Sequence, residues 1–403
     1  MTPVAHGGDV ELARSRTWAT VDLDAVGRNI AAIRAILPAQ TLFMAVVKAD
    51  AYGHGAVEVA RASVAAGAGW LGVATAEEAL ELRSAGLDAP VLIMGPVPEG
   101  LLSVLVDAGC ALTLADESTL AALRRRAGRR ARVHLKVDTG MTRLGVAPDA
   151  VERVVAALDS ERIAVEGVFT HLACADDPDP TVTREQLALF AQCAQIVRSR
   201  WPGAIRHVAA SAAALADPTA AMDMVRIGLA LYGVSPARHL VRPTLRPAMT
   251  LSSRVARVRR VAPGTPVSYG ATYRTPRETC VATVAIGYAD GYPRALSGTG
   301  QMLVGGRRFP VVGRVCMDYT MLDVGDAAVR EGDLVTVFGA DPPAAAVAEA
   351  AGTIAYELFC RVGRRVPRIY LRGGRPVAVR AAGASRAHAV GAAAAVVDPG
   401  GSR

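Results

Sequence analysis

The sequence predicts an α/β protein, a (β/α)8 barrel of the TIM type followed by a C-terminal, mostly β domain. From Thr41 onward, eight short apolar, β-branched runs alternate with alanine-rich stretches over about 190 residues. Near Arg246 that alternation stops, and strands punctuated by Pro and Gly turns take over. The length of 403 residues agrees with this division, being long for one core and suited to two domains or to a barrel with an appended module.

The eight runs are Leu42–Val47, Trp70–Val73, Val91–Met94, Ala111–Leu114, Arg132–Val137, Val165–Phe169, Ile205–Val208 and Met224–Ile227. Helical stretches such as Ala56–Ala66, Ala76–Ala85 and Gly100–Ala108 lie between them. An open doubly wound sheet is the competing layout, but no G-x-G-x-x-G follows the first run, so the usual dinucleotide signature is absent. The later strands are Leu251–Arg259, Thr279–Ile286, Gln301–Leu303, Phe309–Val312, Tyr319–Asp323 and Leu334–Phe338. The expected boundaries are 1–245 for the barrel, 246–380 for the β domain and 381–403 for a disordered, Ala- and Gly-rich tail. Trp18–Leu23 is an isolated strand expected to pair with the β domain.

Composition excludes several classes. Hydrophobic content is 51% with only 4% aromatic, and no apolar run reaches the ~20 residues of a bilayer span. Residues 1–18 lack the apolar segment of a signal peptide, so a soluble, cytoplasmic protein is expected. The six cysteines form no C-x-x-C pair, which suits a reducing compartment and gives no metal-site spacing. A net charge of +8 raises the question of nucleic acid, and Arg124–Arg126 with Arg129, Arg130 and Arg132 is the densest basic run. It follows a helical pattern without an aromatic platform, so a solvated helix end is the better account and no nucleic-acid partner is expected.

Lysine occurs only at Lys48 and Lys136, the other 43 of the 45 basic residues being arginine. A guanidinium stays protonated, whereas a desolvated lysine can lose its proton and attack a carbonyl. Two leftover surface lysines would sit on exposed helices or loops. Lys48 instead ends the first barrel strand, and Lys136 lies in a strand whose period-two alternation puts His134, Lys136 and Asp138 on one face, expected at the barrel mouth. Next comes the Gly-bounded loop Thr139–Gly145 carrying Arg143; then Thr170–His171 ends another strand, although such a histidine alone is more often structural. Ser211 opens a helix, and Arg226-Ile227-Gly228-Leu229 ends the last strand on a glycine turn. A hydroxyl and bare backbone N–H groups at neighbouring turns can hold a phosphate. An amine, an arginine and a phosphate site together suggest pyridoxal phosphate, whose aldehyde condenses with a lysine and whose ring is an electron sink.

The run Val47-Lys48-Ala49-Asp50-Ala51-Tyr52-Gly53-His54-Gly55 closely resembles the cofactor-lysine motif of the alanine racemase family. The resemblance continues through Leu135–Gly145, Thr170-His171, Arg226-Ile227-Gly228, Tyr232-Gly233, Val267-Ser268-Tyr269-Gly270, Gly287-Tyr288-Ala289-Asp290-Gly291 and Cys316-Met317-Asp318, covering roughly residues 17–375 in order. It implies a pyridoxal-phosphate-dependent isomerase that interconverts L- and D-alanine and supplies D-alanine for peptidoglycan. A homodimer with shared active sites is implied as well.

By this resemblance, Lys48 holds the cofactor and is the base on one face of the substrate, while Tyr269 is the base on the other. Inversion at Cα needs a proton removed from one side and returned to the other, so two bases are chemically sensible. His171 belongs to the relay that serves Tyr269, and Arg226 faces the pyridine nitrogen. Tyr52, Ser211, Gly228, Leu229 and Tyr356 match phosphate contacts. Arg143 matches a residue near the cofactor's phenolic oxygen and the substrate carboxylate. Lys136 matches a lysine that is often carbamylated. Met317 and Asp318 match residues entering from the partner subunit, and Tyr288 matches the entry channel, although Asp318 also reads as an edge-strand charge and Tyr288 as a turn aromatic. Ala210 departs from the pattern, standing where the family usually has asparagine. A racemase of serine or another small amino acid, a non-catalytic pyridoxal-phosphate carrier and a decarboxylase of related architecture are the competing readings; no metal is expected.

Overall fold

A computed structural model describes residues 7–126, 130–158, 162–240, 243–383 and 388–389. The chain forms two compact units: Leu23–Ala248 with Ile354–Cys360, and the remainder, which takes in the chain through Asp22, Met249–Thr353 and the residues from Arg361 onward. The first strand joins the β unit, with which the sequence predicts it to pair. The sequence-based boundaries differ in one detail: a short late segment, Ile354–Cys360, packs with the barrel.

The first strand is β1, Trp18–Asp22. The barrel unit is built on β2 (Leu42–Val46), β3 (Trp70–Val73), β4 (Val91–Ile93), β5 (Cys110–Leu114), β6 (Ala131–Lys136), β7 (Ile163–Phe169), β8 (Ile205–His207) and β9 (Met224–Ile227). These strands are parallel and follow the order β8-β7-β6-β5-β4-β3-β2-β9. A parallel bridge between Ala210 and Arg226 joins the two ends, and the Arg226 N–H donates to the Ala209 carbonyl at 2.9 Å. Strands β3, β4 and β5 are buried along their whole length, which is why they read as continuous apolar runs without alternation. Inside, Met44, Trp70, Leu92, Ala111 and Met224 pack together, so the lower barrel is a filled core. The helix Leu23–Arg34 buries Val26, Ile30 and Ile33 at helical spacing. Its Asn29 side chain donates to the carbonyls of Leu231 and Arg246 and accepts the Arg246 N–H, tying down the chain as it leaves the barrel. There Gly233 has φ +87°, and a Cβ would lie 1.9 Å from the Arg246 oxygen, so only glycine fits.

The β unit comprises β10 (Met249–Val261), β11 (Pro266–Val267), β12 (Tyr273–Arg274), β13 (Thr279–Val284), β14 (Gln301–Val304), β15 (Arg307–Pro310), β16 (Thr320–Gly325), β17 (Leu334–Phe338), β18 (Arg368–Arg372), β19 (Arg375–Arg380) and β20 (His388–Ala389), with α-helices at Gly7–Ala13 and Ala344–Ala350. The 13-residue β10 organises it, pairing with β1 and β17 along its first part and with β13 beyond Val255. Strand β1 lies between β10 and β18, antiparallel to the first and parallel to the second. Trp18, Ala13, Ile369 and Val379 fill one core beneath it, and Val267, Val281 and Val312 fill another under the β13 region. Within the expected tail, His388–Ala389 pairs with Ala378–Val379; residues 384–387 and 390–403 lie outside the described residues. Among the described residues no helix is long and apolar enough to cross a membrane, and all six cysteines are free thiols.

Candidate active site

Lys48 stands one residue beyond the end of β2, after Val47, and opens a turn in which Ala49, Asp50, Ala51 and Tyr52 all have φ between 51° and 55°. Such left-handed residues cost about 1–2 kcal/mol each when they carry a Cβ, so the turn persists only because its surroundings hold it. The holding contacts are dense. Ala51 donates to Val47 at 2.8 Å and Gly55 to the Asp50 carbonyl at 2.8 Å. The Asp50 carboxylate accepts the Ala56 N–H at 2.9 Å, and that of Glu78 accepts the Ala49 N–H at 2.6 Å. Buried His54 donates through Nδ1 to the carbonyls of Ala51 and Tyr52, both at 3.0 Å. The Lys48 amine is pulled below its ordinary pKa, first by burial and then by Arg143, with Glu78 opposing. The result is an amine that loses its proton more readily than a surface lysine.

Beside it, Ser211 Oγ accepts the N–H groups of Gly228 (3.0 Å) and Ala230 (3.3 Å), so the starts of two adjacent post-strand segments share one hydroxyl. A Cβ at Gly228 would meet the Tyr52 hydroxyl at 2.5 Å, so glycine opens a cradle beneath that ring. Tyr356 closes the group from the segment that packs with the barrel, its ring 5.6 Å from that of Tyr52. Burial raises the pKa of both phenols, which therefore stay neutral donors. Leu229 is buried next to Gly228. Ala210 precedes the helix Ser211–Ala216 without any side-chain cap, and its backbone is instead engaged in the bridge to Arg226.

Arg226 is 3% exposed and has no carboxylate partner among the described residues. Its two terminal nitrogens donate to the carbonyls of His207 (2.7 Å), Thr170 (2.8 Å) and Val208 (2.9 Å) and to Nδ1 of His207 (3.0 Å) and His171 (3.2 Å). Burial draws its pKa down to about 9, which leaves it a cation at neutral pH. Because arginine can only donate, both histidines accept at Nδ1 and carry their proton on Nε2. His207 thus donates to His134 Nδ1 at 2.8 Å, and His134 in turn bears a buried Nε2–H with no partner among the described residues. His134 is therefore inside the barrel and not at its mouth. It fits there because Gly167 has no Cβ, which would lie 2.3 Å from the imidazole. Burial, followed by the field of Arg226, holds His171 down at about 3; burial and then the Arg132 and Arg226 cations hold His134 at about 3, and His207 also lies well below the usual range.

Lys136 ends β6, with its ammonium 4.8 Å from the centre of the Phe169 ring. Burial, Arg226 and Arg143 bring its pKa to about 8. Asp138, expected beside it, instead organises the next loop by accepting the N–H groups of Gly140, Met141 and Thr142, each at 3.0 Å. Val146 folds back onto the Lys136 carbonyl at 2.8 Å, leaving Arg143 exposed on the loop.

In the β unit, Tyr269 is 72% exposed on a turn where Ser268, Gly270 and Ala271 all have positive φ. Ser268 Oγ donates to the Arg314 carbonyl at 2.6 Å, and Gly313 leaves room for the turn, since a Cβ there would meet the Val267 oxygen at 2.6 Å. Exposed Tyr288 and Met317 and half-buried Asp318 form a second group, because Tyr288 and Ala289 donate to the carbonyls of Cys316 and Met317. Beneath them Asp290 is fully buried. It accepts from Arg16 at 2.7 Å, Arg365 at 2.6 Å and the Gly287 N–H at 2.9 Å, and Arg365 also reaches Asp318 at 2.7 Å. Burial would raise its pKa, but these donors outweigh it and hold the carboxylate below its ordinary value.

The barrel unit thus brings together Lys48, Tyr52, Lys136, His171, Ser211, Arg226, Gly228 and Tyr356 at the C-terminal ends of its strands. A phosphate-bearing carbonyl cofactor fits these residues: an amine prone to lose its proton, a glycine cradle under a phenol, and an Arg226 Nε–H that has no partner among the described residues. No cluster of three or more His, Cys, Asp or Glu among the described residues is placed to hold a metal ion. Sequence reasoning missed His207, Glu78 and the Arg16–Asp290–Arg365 cluster. Thr75 followed three residues later by Glu78 was a capping signal available in the sequence.

The family model for the N-terminal domain of alanine racemase matches residues 21–236, and that for the C-terminal domain matches 248–370. The alanine racemase of Symbiobacterium thermophilum is 48% identical over 367 residues, covering 88% of this chain and 97% of its own. That of Thermobifida fusca is 46% identical, covering 87% and 97%. The crystal structure of alanine racemase from Streptomyces lavendulae superposes with a TM-score of 0.84 at 43% identity, covering 89% of this chain and 97% of that one.

Three neutral histidines, His134 and His207 buried and His171 partly so, carry a pH dependence whose sign is fixed. Their folded pKa values lie below the unfolded 6.5, so the unfolded chain binds more protons as pH falls through that value, and stability drops. Urea unfolding is expected to lose more than about 1.4 kcal/mol per pH unit between pH 6.5 and 5.5, above the range in which most carboxylates titrate. A flat profile across that window would contradict the neutral assignment.

Proposed function

The chain belongs to the alanine racemase family, and we propose that it interconverts L- and D-alanine with pyridoxal phosphate as cofactor. The observation that carries this reading is the convergence, at one rim, of an amine with a depressed pKa and a guanidinium held by five neutral acceptors. The family's general role, supply of D-alanine to the cell wall from the cytoplasm, follows with it. A racemase of serine or another small amino acid would use the same residues.

Lys48 would hold the cofactor, while Tyr52, Tyr356, Ser211 and the backbone at Gly228 and Leu229 would bind its phosphate. When bound, pyridoxal phosphate supplies an electron sink for the carbanion at Cα. Lys48 moves the proton on one face of Cα, and Tyr269 Oη moves it on the other. His171 carries its proton on Nε2, so it can donate to a phenolate and favour that anion. Arg226 would offer its remaining Nε–H to the cofactor's ring nitrogen, and because a guanidinium keeps its own protons it would not protonate that nitrogen. Arg226 would in this way favour return of the proton to Cα over transamination. Arg143 binds the substrate carboxylate. In a homodimer, Met317 and Asp318 would enter the partner's site, with Tyr288 lining the approach.

Lys136 completes the site as a carbamate. With a pKa of about 8, a useful fraction of its amine is neutral at physiological pH and can take up carbon dioxide. The product is an anion able to orient Arg143, a role that arginine at position 136 could not fill. Purified protein in 13C-labelled bicarbonate should give a carbamate carbonyl resonance that disappears in Lys136→Arg; its absence from the wild type would refute the modification.

Incubated with pyridoxal phosphate and L-alanine, the protein should carry the optical rotation to that of the racemate, with L-serine and L-lysine turning over more slowly. Borohydride reduction and peptide mapping should then find the pyridoxyl group on Lys48. Preferred turnover of serine would move the substrate, and a label on Lys136 would overturn the assignment.

A further inference from the structure

Glu78 caps the helix Ala76–Ser84, and its place there is ordinary in one respect and not in another. In a capping box the glutamate reaches back to the N-cap N–H, an interaction complete within its own helix end. Oε2 of Glu78 does this, accepting from Thr75 at 3.2 Å and from Ala74 at 2.7 Å. Oε1 accepts, at 2.6 Å, the N–H of Ala49 in the neighbouring βα loop. The helix has no use for that second contact. Ala49 follows Lys48 directly and is the first residue of the left-handed turn, so the contact tethers the turn where its strain begins.

We propose that Glu78 is a positioning residue for Lys48: one carboxylate bridges the end of β3 to the turn that Lys48 opens and keeps a negative charge beside the amine. This rests on the reading of Lys48 as the cofactor lysine. The groups around that amine make the charge matter. Arg143 from the loop after β6 and Arg226 from β9 are cations, and Lys136 at the end of β6 also feels Lys48. His171 after β7 is neutral, the Cys360 thiol has its own pKa raised by burial, and the Asp50 carboxylate is engaged with the Ala56 N–H. Glu78 is the carboxylate that offsets the cations. Without it the amine would shed its proton at lower pH, and the turn would lose its tether.

The test follows the capture of added pyridoxal phosphate by the full-length chain after the cofactor has been stripped, read from the absorbance of the protein-bound form between pH 6 and 10. The rate rises with the neutral fraction of the capturing amine, so its midpoint reports that amine. Glu78→Gln removes the charge while keeping a carbonyl for Ala49; its midpoint should move to lower pH, with capture at pH 7 on the order of 3- to 10-fold faster than in the wild type. Glu78→Asp keeps the charge but is one methylene short of spanning both loops, so its midpoint should match the wild type while its plateau rate falls several-fold. An unmoved midpoint in Glu78→Gln, or an unchanged plateau in Glu78→Asp, overturns the proposal. Should Glu78→Gln fail to fold, Glu78→Asp decides alone. Borohydride trapping in the wild type separates the two layers of inference, since label on Lys136 defeats the assignment of Lys48 whatever the variants do.

Discussion

A buried guanidinium with no carboxylate partner among the described residues is the constraint on which the barrel's chemistry rests. Desolvating an isolated charge costs several kcal/mol, and Arg226 offsets that cost with neutral acceptors, three carbonyls and two imidazoles, and not with a carboxylate. Hydrogen bonds from a charged donor contribute about 1.5–3 kcal/mol each, so five together are of the right size. The choice of acceptors has consequences outward. It forces the tautomers of His207, His134 and His171, keeps all three neutral, and puts a positive field across the rim that lowers the pKa of Lys136 and Lys48. An aspartate in place of those histidines would offset that field and leave burial and Arg143 to lower the two amines.

The two units store strain for different ends. In the barrel, four consecutive left-handed residues follow Lys48 and are fastened by hydrogen bonds from the turn itself, from His54 and from Glu78. In the β unit, Ser268, Gly270 and Ala271 bend the chain where Tyr269 is largely exposed. Each turn presents, on a fixed backbone, one of the two side chains proposed above to transfer the proton. Asp290 does similar work for Tyr288 and Asp318 by clamping Arg16 and Arg365 beneath them.

Much of this was legible before any coordinates. The parallel strands are buried on both faces, so their β-branched runs stand out, and the change of texture near Arg246 marks the end of the barrel. The scarcity of lysine pointed to Lys48 and Lys136 because arginine cannot do their chemistry. Other features were not local enough to read. Period-two alternation put His134 and Lys136 on one face, but only the missing Cβ of Gly167 shows that His134 lies deep in the barrel. The capping signal at Thr75–Glu78 was visible; the second oxygen of that glutamate acts across space on Ala49. Ile354–Cys360 follows a run of β-domain sequence, and nothing in its composition says that it packs with the barrel.

The central claim is that proton transfer at Cα is divided between Lys48 and Tyr269. Tyr269→Phe removes one hydroxyl from an exposed side chain and leaves the barrel untouched, so cofactor binding should survive. In deuterated water this variant should wash deuterium into D-alanine through Lys48 much faster than it forms L-alanine, and should exchange L-alanine poorly. Racemisation at near wild-type rate, or equal exchange of both enantiomers, would contradict the division and require a different second base.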